Sequence, residues 1–237
     1  MTGNGWDQSA EAWIASMGER GDYTREFILD PVMIGRISGR SFQSALDVGC
    51  GEGRFCRIMA SQSIAPIGVD PTPRLLERAR ERDPAGDYRI GAAEALPFGD
   101  ATFDLVVSYL TLIDIADMRA ALAEMVRVLC PGGTLLIANL TSFATAAQEG
   151  WIYDEAGKPL HCHPVDHYLE ERGEWVEWNG IRIRNWHRPL SAYMQALLAA
   201  GMRLTFFDEP AGIGGSPTSR AISRRRPWAM VMEWAKV

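Results

Sequence analysis

The chain is 237 residues long, 47% hydrophobic, and carries a formal net charge of −6, enough apolar content to bury one sizeable core. The acidic balance excludes a global basic field for holding nucleic acid, and no run approaches the roughly 18 consecutive apolar residues of a membrane span. No charged-then-apolar leader opens the chain, and Cys50, Cys56, Cys130 and Cys162 follow no metal or disulfide spacing, so reduced thiols and a cytoplasmic setting are expected.

Residues 1–40 read as a helical segment ahead of a regular α/β alternation. Trp6, Trp13 and Tyr23 fall here, and Asp30-Pro31 reads as an N-cap and first helical position, with Gly39 as terminator. The stretch Leu46-Asp47-Val48-Gly49-Cys50-Gly51-Glu52-Gly53 predicts a buried strand (44–48), a glycine-rich turn and a helix (53–62). Its glycines let the backbone fold tightly and let a ligand approach where a Cβ would collide. A nucleotide-like cofactor suits such a turn, but Gly-x-Gly-x-Gly is not the Gly-x-Gly-x-x-Gly of the dinucleotide fingerprint. A strand at 66–70 then ends in Asp70, about 20 residues after Gly51, where an acid can accept from two ribose hydroxyls. A helix (73–82) and strands at 87–91 and 103–108 follow. Asp117 is the expected N-cap of a helix over 117–129, whose Met118, Ala121, Leu122, Met125 and Leu129 form one apolar stripe. A strand at 134–139, a helix from Pro189 to Gly201, and strands at 203–207 and 228–235 complete the alternation. Strands separated by helices imply a parallel sheet covered on both faces, with ligands at the C-terminal strand ends.

Residues 141–188 interrupt this pattern. Inside them Glu174-Trp175-Val176-Glu177-Trp178 and Ile181-Arg182-Ile183-Arg184 flank Asn179-Gly180, a strong hairpin signal. A two-residue turn opposes Trp178 to Ile181, Glu177 to Arg182, Val176 to Ile183 and Trp175 to Arg184. Alternation then puts Val176, Trp178, Ile181 and Ile183 on one face, with Asn185 and His187 sharing its parity. The hairpin (174–186) is expected to cover a cofactor mouth.

Four landmarks stand in register: the glycine turn, Ile67-Gly68-Val69-Asp70, Gly91-Ala92-Ala93-Glu94-Ala95-Leu96-Pro97-Phe98, and Val128-Leu129-Cys130-Pro131-Gly132-Gly133. In order and spacing they resemble the class I S-adenosylmethionine-dependent methyltransferases, closest to the small-molecule (type 11) branch that includes ubiquinone and menaquinone biosynthesis enzymes. The resemblance is strong over about residues 41–140. It implies a doubly wound α/β fold with a seven-stranded, mostly parallel sheet whose last strand runs antiparallel. It also implies a single methyltransferase domain over 1–237, with a helical lid at 1–40 and an inserted cap at 141–188. The implied cofactor is S-adenosyl-L-methionine, leaving as S-adenosyl-L-homocysteine. Asp47, Gly49 and Gly51 would surround its methionyl and ribose portion, and Asp70 would take the ribose hydroxyls. Pro71 and Thr72 would lie on one adenine face, Ala93 and Leu96 on the other, and Ser108 and Tyr109 beside the sulfonium and methionyl amine. Related proteins commonly carry Asp where this chain has Ala92; Glu94 or a water would then meet the adenine amino group.

Methyl transfer from a sulfonium asks the protein to position an acceptor, exclude water and, when needed, remove a proton. Asp114, in the loop after the fourth strand, is a candidate to orient or deprotonate the acceptor, or else caps the following turn. His187 is the other candidate base, or else a hydrogen-bonded core histidine. Tyr23 and Arg25 are placed to reach the methionyl carboxylate. Trp6, Trp13 and Trp178 are candidate acceptor walls, and eight tryptophans favour a flat aromatic acceptor. His161-Cys162-His163 with Asp166 and His167 has no second cluster to complete four ligands, so no metal is expected. Arg224-Arg225-Arg226 reads as a solvated turn. The expected reaction is methyl transfer to an oxygen or nitrogen of a small aromatic or conjugated acceptor. Carbon methylation of an activated ring or quinone precursor, and a non-catalytic S-adenosylmethionine-binding role, are the alternatives. The glycine spacing and the Pro-Gly-Gly turn argue against a nicotinamide oxidoreductase. The expected partner is the small-molecule acceptor, with neither nucleic acid nor membrane; monomer and homodimer both remain open.

Overall fold

The computed structural model describes residues 3–147, 155–156 and 164–237. Its strands are β1 (Ser44–Val48), β2 (Ala65–Asp70), β3 (Asp87–Ile90), β4 (Phe103–Tyr109), β5 (Leu129–Leu140), β6 (Arg172–Trp178), β7 (Ile181–His187), β8 (Met202–Asp208) and β9 (Ala229–Lys236). Seven of them form one sheet in the order β3-β2-β1-β4-β5-β9-β8, and β6 pairs with β7 alone. Only β9 runs antiparallel to its neighbours β5 and β8. Sheet growth reverses between β1 and β4, which opens a crevice at their C-terminal ends.

Successive side chains of a strand point to opposite faces, and a parallel sheet must be covered on both. Val106, Leu135 and Ile137 share one core with Met118, Leu122 and Met125 of α5 (Met118–Val128) and with Tyr193 and Leu197 of α7 (Leu190–Ala199). Leu105, Val107, Leu136 and Ala138 share the other with Met33 and Ile37 of α2 (Asp30–Ile37) and Phe55 and Met59 of α3 (Arg54–Ser61). Each buried aliphatic or aromatic side chain contributes about 2 kcal/mol through burial. Asp117 caps α5 as expected, its carboxylate accepting from the Ala120 amide at 3.0 Å.

Asp30 differs from its expected role. The chain enters α2 through a π-helical turn (Arg25–Leu29), so Asp30 is already helical and makes no cap. Its buried carboxylate instead pairs with Arg54 and accepts from the Tyr109 hydroxyl at 2.9 Å.

The hairpin has the expected register throughout. Asn179 and Gly180 both occupy the left-handed region (φ 48 and 79), as a two-residue turn requires. Its apolar face is not evenly buried: Ile181 and Ile183 are covered, whereas Trp178 is 38% exposed. The reason is that the chain's N-terminal segment lies against β7. At the edge of β7 facing away from β6, the Arg182 amide donates to Ser9 Oγ (2.9 Å), Arg184 to the Asn4 carbonyl (2.8 Å), and Trp186 to the Ile113 carbonyl (2.6 Å). Helix α1 (Trp6–Met17) is thereby fastened to the hairpin, and Glu11 pairs with Arg74 of α4 (Pro73–Arg82). No described helix is long and apolar enough to cross a membrane.

Gly180→Ala is expected to cost about 1 kcal/mol of unfolding free energy, because a Cβ is strained at φ 79. Urea titration measures this, and an unchanged midpoint would contradict the turn geometry.

Candidate active site

The glycine turn and the ends of β1, β2 and β4 line a cavity of about 950 Å³. At Gly49 (φ 74) a Cβ would lie 2.1 Å from Thr111 Cγ2, so no side chain fits. Asp70 is buried at the end of β2, and its two oxygens accept from the amides of Gly51 (2.9 Å) and Thr72 (2.8 Å). Burial raises its pKa, held back by those two amides. Asp47 is equally buried; Cys56 Sγ donates to Oδ2 (3.4 Å) while Oδ1 has no partner. Burial pushes the Asp47 carboxyl up to about 7, with the Cys56 bond opposing and the charge of Asp70 adding to the rise.

At the other end of the cavity stands Asp114. Its Oδ1 accepts from Asn185 Nδ2 at 2.5 Å, and the Trp6 indole also donates to the carboxyl. Its surface is partly open to the cavity, yet the surrounding protein pushes it up to about 8, opposed by Trp6, Asn185 and the charge of Arg25. Trp6 and Trp13 meet edge to face at 5.0 Å, and the Arg25 guanidinium lies 4.8 Å from the Trp13 ring while donating to Asp22 at 2.8 Å. These groups and Trp178 line the same cavity.

Of the residues singled out from sequence, the structure brings together Trp6, Trp13, Arg25, Asp47, Gly49, Gly51, Asp70, Pro71, Thr72, Ala93, Glu94, Tyr109, Asp114, Trp178 and His187 along this cavity, with Ala92 among them. Three stand elsewhere. Tyr23 turns away: its hydroxyl donates to the Gly214 carbonyl (3.3 Å) and its ring packs on Phe27. Leu96 is buried beneath the loop, its amide donating to Glu124 (2.8 Å). Ser108 is fully enclosed in β4, and its hydroxyl has no partner. The Tyr109 hydroxyl is committed to Asp30 rather than to the cavity.

His187 reaches the cavity, but both ring nitrogens are taken. Nε2 lies 2.8 Å from the Tyr168 carbonyl, which only accepts, so Nε2 carries the proton and Nδ1 accepts from Thr145 Oγ1 at 2.7 Å. Burial lowers its pKa, against the Tyr168 bond, which raises it. It is a neutral, fully bonded histidine holding the hairpin to α6 (Ser142–Ala146). Sequence reasoning missed Thr111, Asn185 and Arg188; only the parity of Asn185 with the inward face hinted at one of them. It also missed Glu52, which lines the cavity and ties the glycine turn to Arg57 (2.8 Å) and Arg82 (3.0 Å). The group His161-Cys162-His163 lies outside the described residues, as do Trp151 and Tyr153; among the described residues no cluster is placed to hold a metal ion.

Residues 46–137 match the family described as a methyltransferase domain. A malonyl-[acyl-carrier protein] O-methyltransferase of Erwinia billingiae is 37% identical over 205 residues, covering 83% of this chain and 76% of that protein. Its counterpart from Serratia marcescens is 36% identical over 110 residues, so the matched part spans 46% of this chain and only 43% of the relative. A putative S-adenosylmethionine dependent methyltransferase of Listeria monocytogenes superposes with a TM-score of 0.73 at 26% identity, covering 82% of this chain and 91% of that one.

A carboxyl whose folded pKa is raised gives its full stability below the unfolded pKa and loses it as pH rises through the folded value. For Asp47 that window runs from the ordinary 3.8 to about 7. Asp47→Asn is therefore expected to stabilise the ligand-free protein progressively relative to wild type between those limits. Thermal unfolding at several pH values measures the difference, and a constant offset would mean that Asp47 is not acid-raised.

Proposed function

The chain belongs to the class I S-adenosylmethionine-dependent methyltransferases, and on that premise we propose that it transfers the cofactor's methyl group to an oxygen or nitrogen of a small aromatic or conjugated acceptor. The observation that carries this reading is one continuous cavity, with the glycine turn and Asp70 at one end and Asp114 among Trp6, Trp13 and Trp178 at the other. The residues fit the cofactor. Asp47 Oδ1 is a buried acceptor without a donor, and Asp70 accepts only, where the cofactor offers hydroxyl and ammonium donors. When bound, S-adenosylmethionine supplies a methyl group already activated on a sulfonium.

The chain's own residues then bind, orient and move a proton. Asp70 holds the ribose hydroxyls, and its carboxylate is aimed by the Gly51 and Thr72 amides. Pro71, Thr72 and Ala93 flank the adenine, and Glu94 stands in for the acid that Ala92 lacks. Asp47, Gly49 and Gly51 meet the ribose and methionyl portion, and Arg25 its carboxylate. Trp6, Trp13 and Trp178 wall a flat acceptor, and α1 with the hairpin acts as lid and cap that exclude water. Asp114 takes the acceptor's proton. His187 does not, because both its ring nitrogens are engaged. The same occupancy weakens the carbon-methylation alternative, which assigned that histidine as base. Oxygen as the methylated atom draws support from the relatives named as O-methyltransferases.

Calorimetry with S-adenosylmethionine and S-adenosylhomocysteine, and NAD as control, tests the reading. Micromolar binding of the first two alone is expected; binding of neither would overturn it. Asp70→Asn is expected to weaken cofactor binding about tenfold, because a hydrogen-bonded charge is lost in a buried site. In a screen of flat phenols, aryl amines and carboxylic acids, kcat/KM should rise with pH to a plateau, since Asp114 accepts a proton only once ionised. Its inflection should lie no higher than about 8, because a cationic cofactor lowers the free-protein value. Asp114→Asn should abolish the inflection and lower kcat by about a hundredfold, while cofactor affinity stays within twofold.

A further inference from the structure

The loop between β4 and α5 has no ladder of its own. Leu110 enters it in the left-handed region (φ 56), and Asp114 sits at its centre. Its exposed backbone carbonyls must find donors or lose hydration without compensation. Two donors are amides: Asp114 donates to Thr111 (2.9 Å), and Trp186 to Ile113 (2.6 Å). Three more carbonyls of the loop are served by one side chain. Arg188 Nη1 donates to Leu112 (3.1 Å), and Nη2 to Ile115 (2.6 Å) and Ala116 (2.9 Å). The residue is 2% exposed, yet it carries a full charge into the interior, with Glu171 3.6 Å from Nε and the Tyr193 hydroxyl accepting a further bond.

A buried guanidinium is a costly way to support a loop that apolar packing could also cover. Its planar fork reaches carbonyls on both sides of Asp114 at once, which an ammonium on a flexible stem cannot do. The fork bonds on either side of residue 114 and leaves the carboxyl itself to Asn185 and Trp6. We propose that Arg188 is the positioning residue for Asp114, fixing the loop so that the carboxyl faces the acceptor across the cavity at the junction of α1, β7 and the β4 loop. The inference rests on Asp114 handling the acceptor's proton. Arg188 touches neither acceptor nor cofactor and acts through the loop backbone. The groups that face Asp114 are Trp6 from α1, Asn185 from β7, Arg25 from the π-helical turn and, through its charge, Asp70 at the end of β2. Arg188 makes no bond to the Asp114 carboxyl and reaches it through the backbone of residues 112, 115 and 116.

The test follows the Asp114 carboxyl by ¹³C NMR in aspartate-labelled protein, with the resonance assigned by its loss in Asp114→Asn. In Arg188→Lys the titration midpoint is expected to fall by at least one pH unit, as the freed loop hydrates the carboxyl. Turnover of the acceptor should fall at least tenfold, with S-adenosylmethionine affinity within twofold of wild type. A lowered melting temperature with an unmoved Asp114 midpoint would make Arg188 purely structural and overturn the inference. Should Arg188→Lys not fold, Arg188→Gln, which keeps an N–H donor for the loop, takes its place with the same two readouts, and an unmoved Asp114 midpoint overturns the inference. If Asp114→Asn keeps full turnover while Arg188→Lys still moves the midpoint, the positioning stands and the proton-transfer role of Asp114 falls.

Discussion

The carboxylate of Asp70, shared between the amides of Gly51 and Thr72, is the interaction on which the site depends. It ties the glycine turn after β1 to the end of β2, and so fixes the mouth of the crevice at the point where sheet growth reverses. Burial alone would favour the neutral acid, and the two amides act against it. Without those amides the rise would be larger. The turn therefore both shapes the cavity and holds the Asp70 carboxyl against the rise that burial imposes. Gly49 completes the arrangement, because only a residue without Cβ lets Thr111 of the β4 loop close over it.

The second dependence is the open edge of β7. A two-stranded hairpin is marginal in water and leaves unpaired amides on its outer edges. Here three of those amides are taken by Ser9, Asn4 and Ile113. Two lie in the N-terminal segment and one in the β4 loop, so the hairpin joins the two parts that flank the acceptor end. Asp114, in the β4 loop, is bonded to Trp6 from the N-terminal segment and to Asn185 from β7. The N-terminal segment, hairpin and loop are thus held as one assembly through hydrogen bonds along the β7 edge. Such an assembly can part without unfolding the sheet, which suits a cover over a ligand site.

Local chemistry was legible in the sequence, and long-range contacts were not. The glycine turn, the acid ending β2 and the Asn179-Gly180 turn each act through backbone conformation, which neighbouring residues determine. Their positions and the hairpin register follow from short-range rules alone. Asp30 shows the limit. Its sequence context is that of an N-cap, but a buried Arg54 and Tyr109, 24 and 79 residues away, outbid the local amides. Tyr23 is drawn to the Gly214 carbonyl 191 residues away, in a glycine loop with no partner legible in the sequence. His187 was recognisable as special, yet the contacts that make it inert come from Thr145 and Tyr168. Arg188 lay beside it unremarked, because its targets are backbone carbonyls and carry no side-chain signature.

Three carboxyl groups share this cavity, and their surroundings push them to different degrees. Asp70 is restrained by two amides, Asp47 rises to about 7 with one oxygen unmet, and Asp114 rises to about 8 at the far end. The charge of Asp70 contributes to the rise of both others, so the three do not titrate independently. A cationic ligand between them would favour the ionised form of each, since opposite charge acts against the burial that raises all three. The acids at the two ends of the cavity are in this way coupled through one electrostatic field. Under the function proposed above, a cationic methyl donor in the cavity would favour the ionised form of Asp114, the form able to accept a proton.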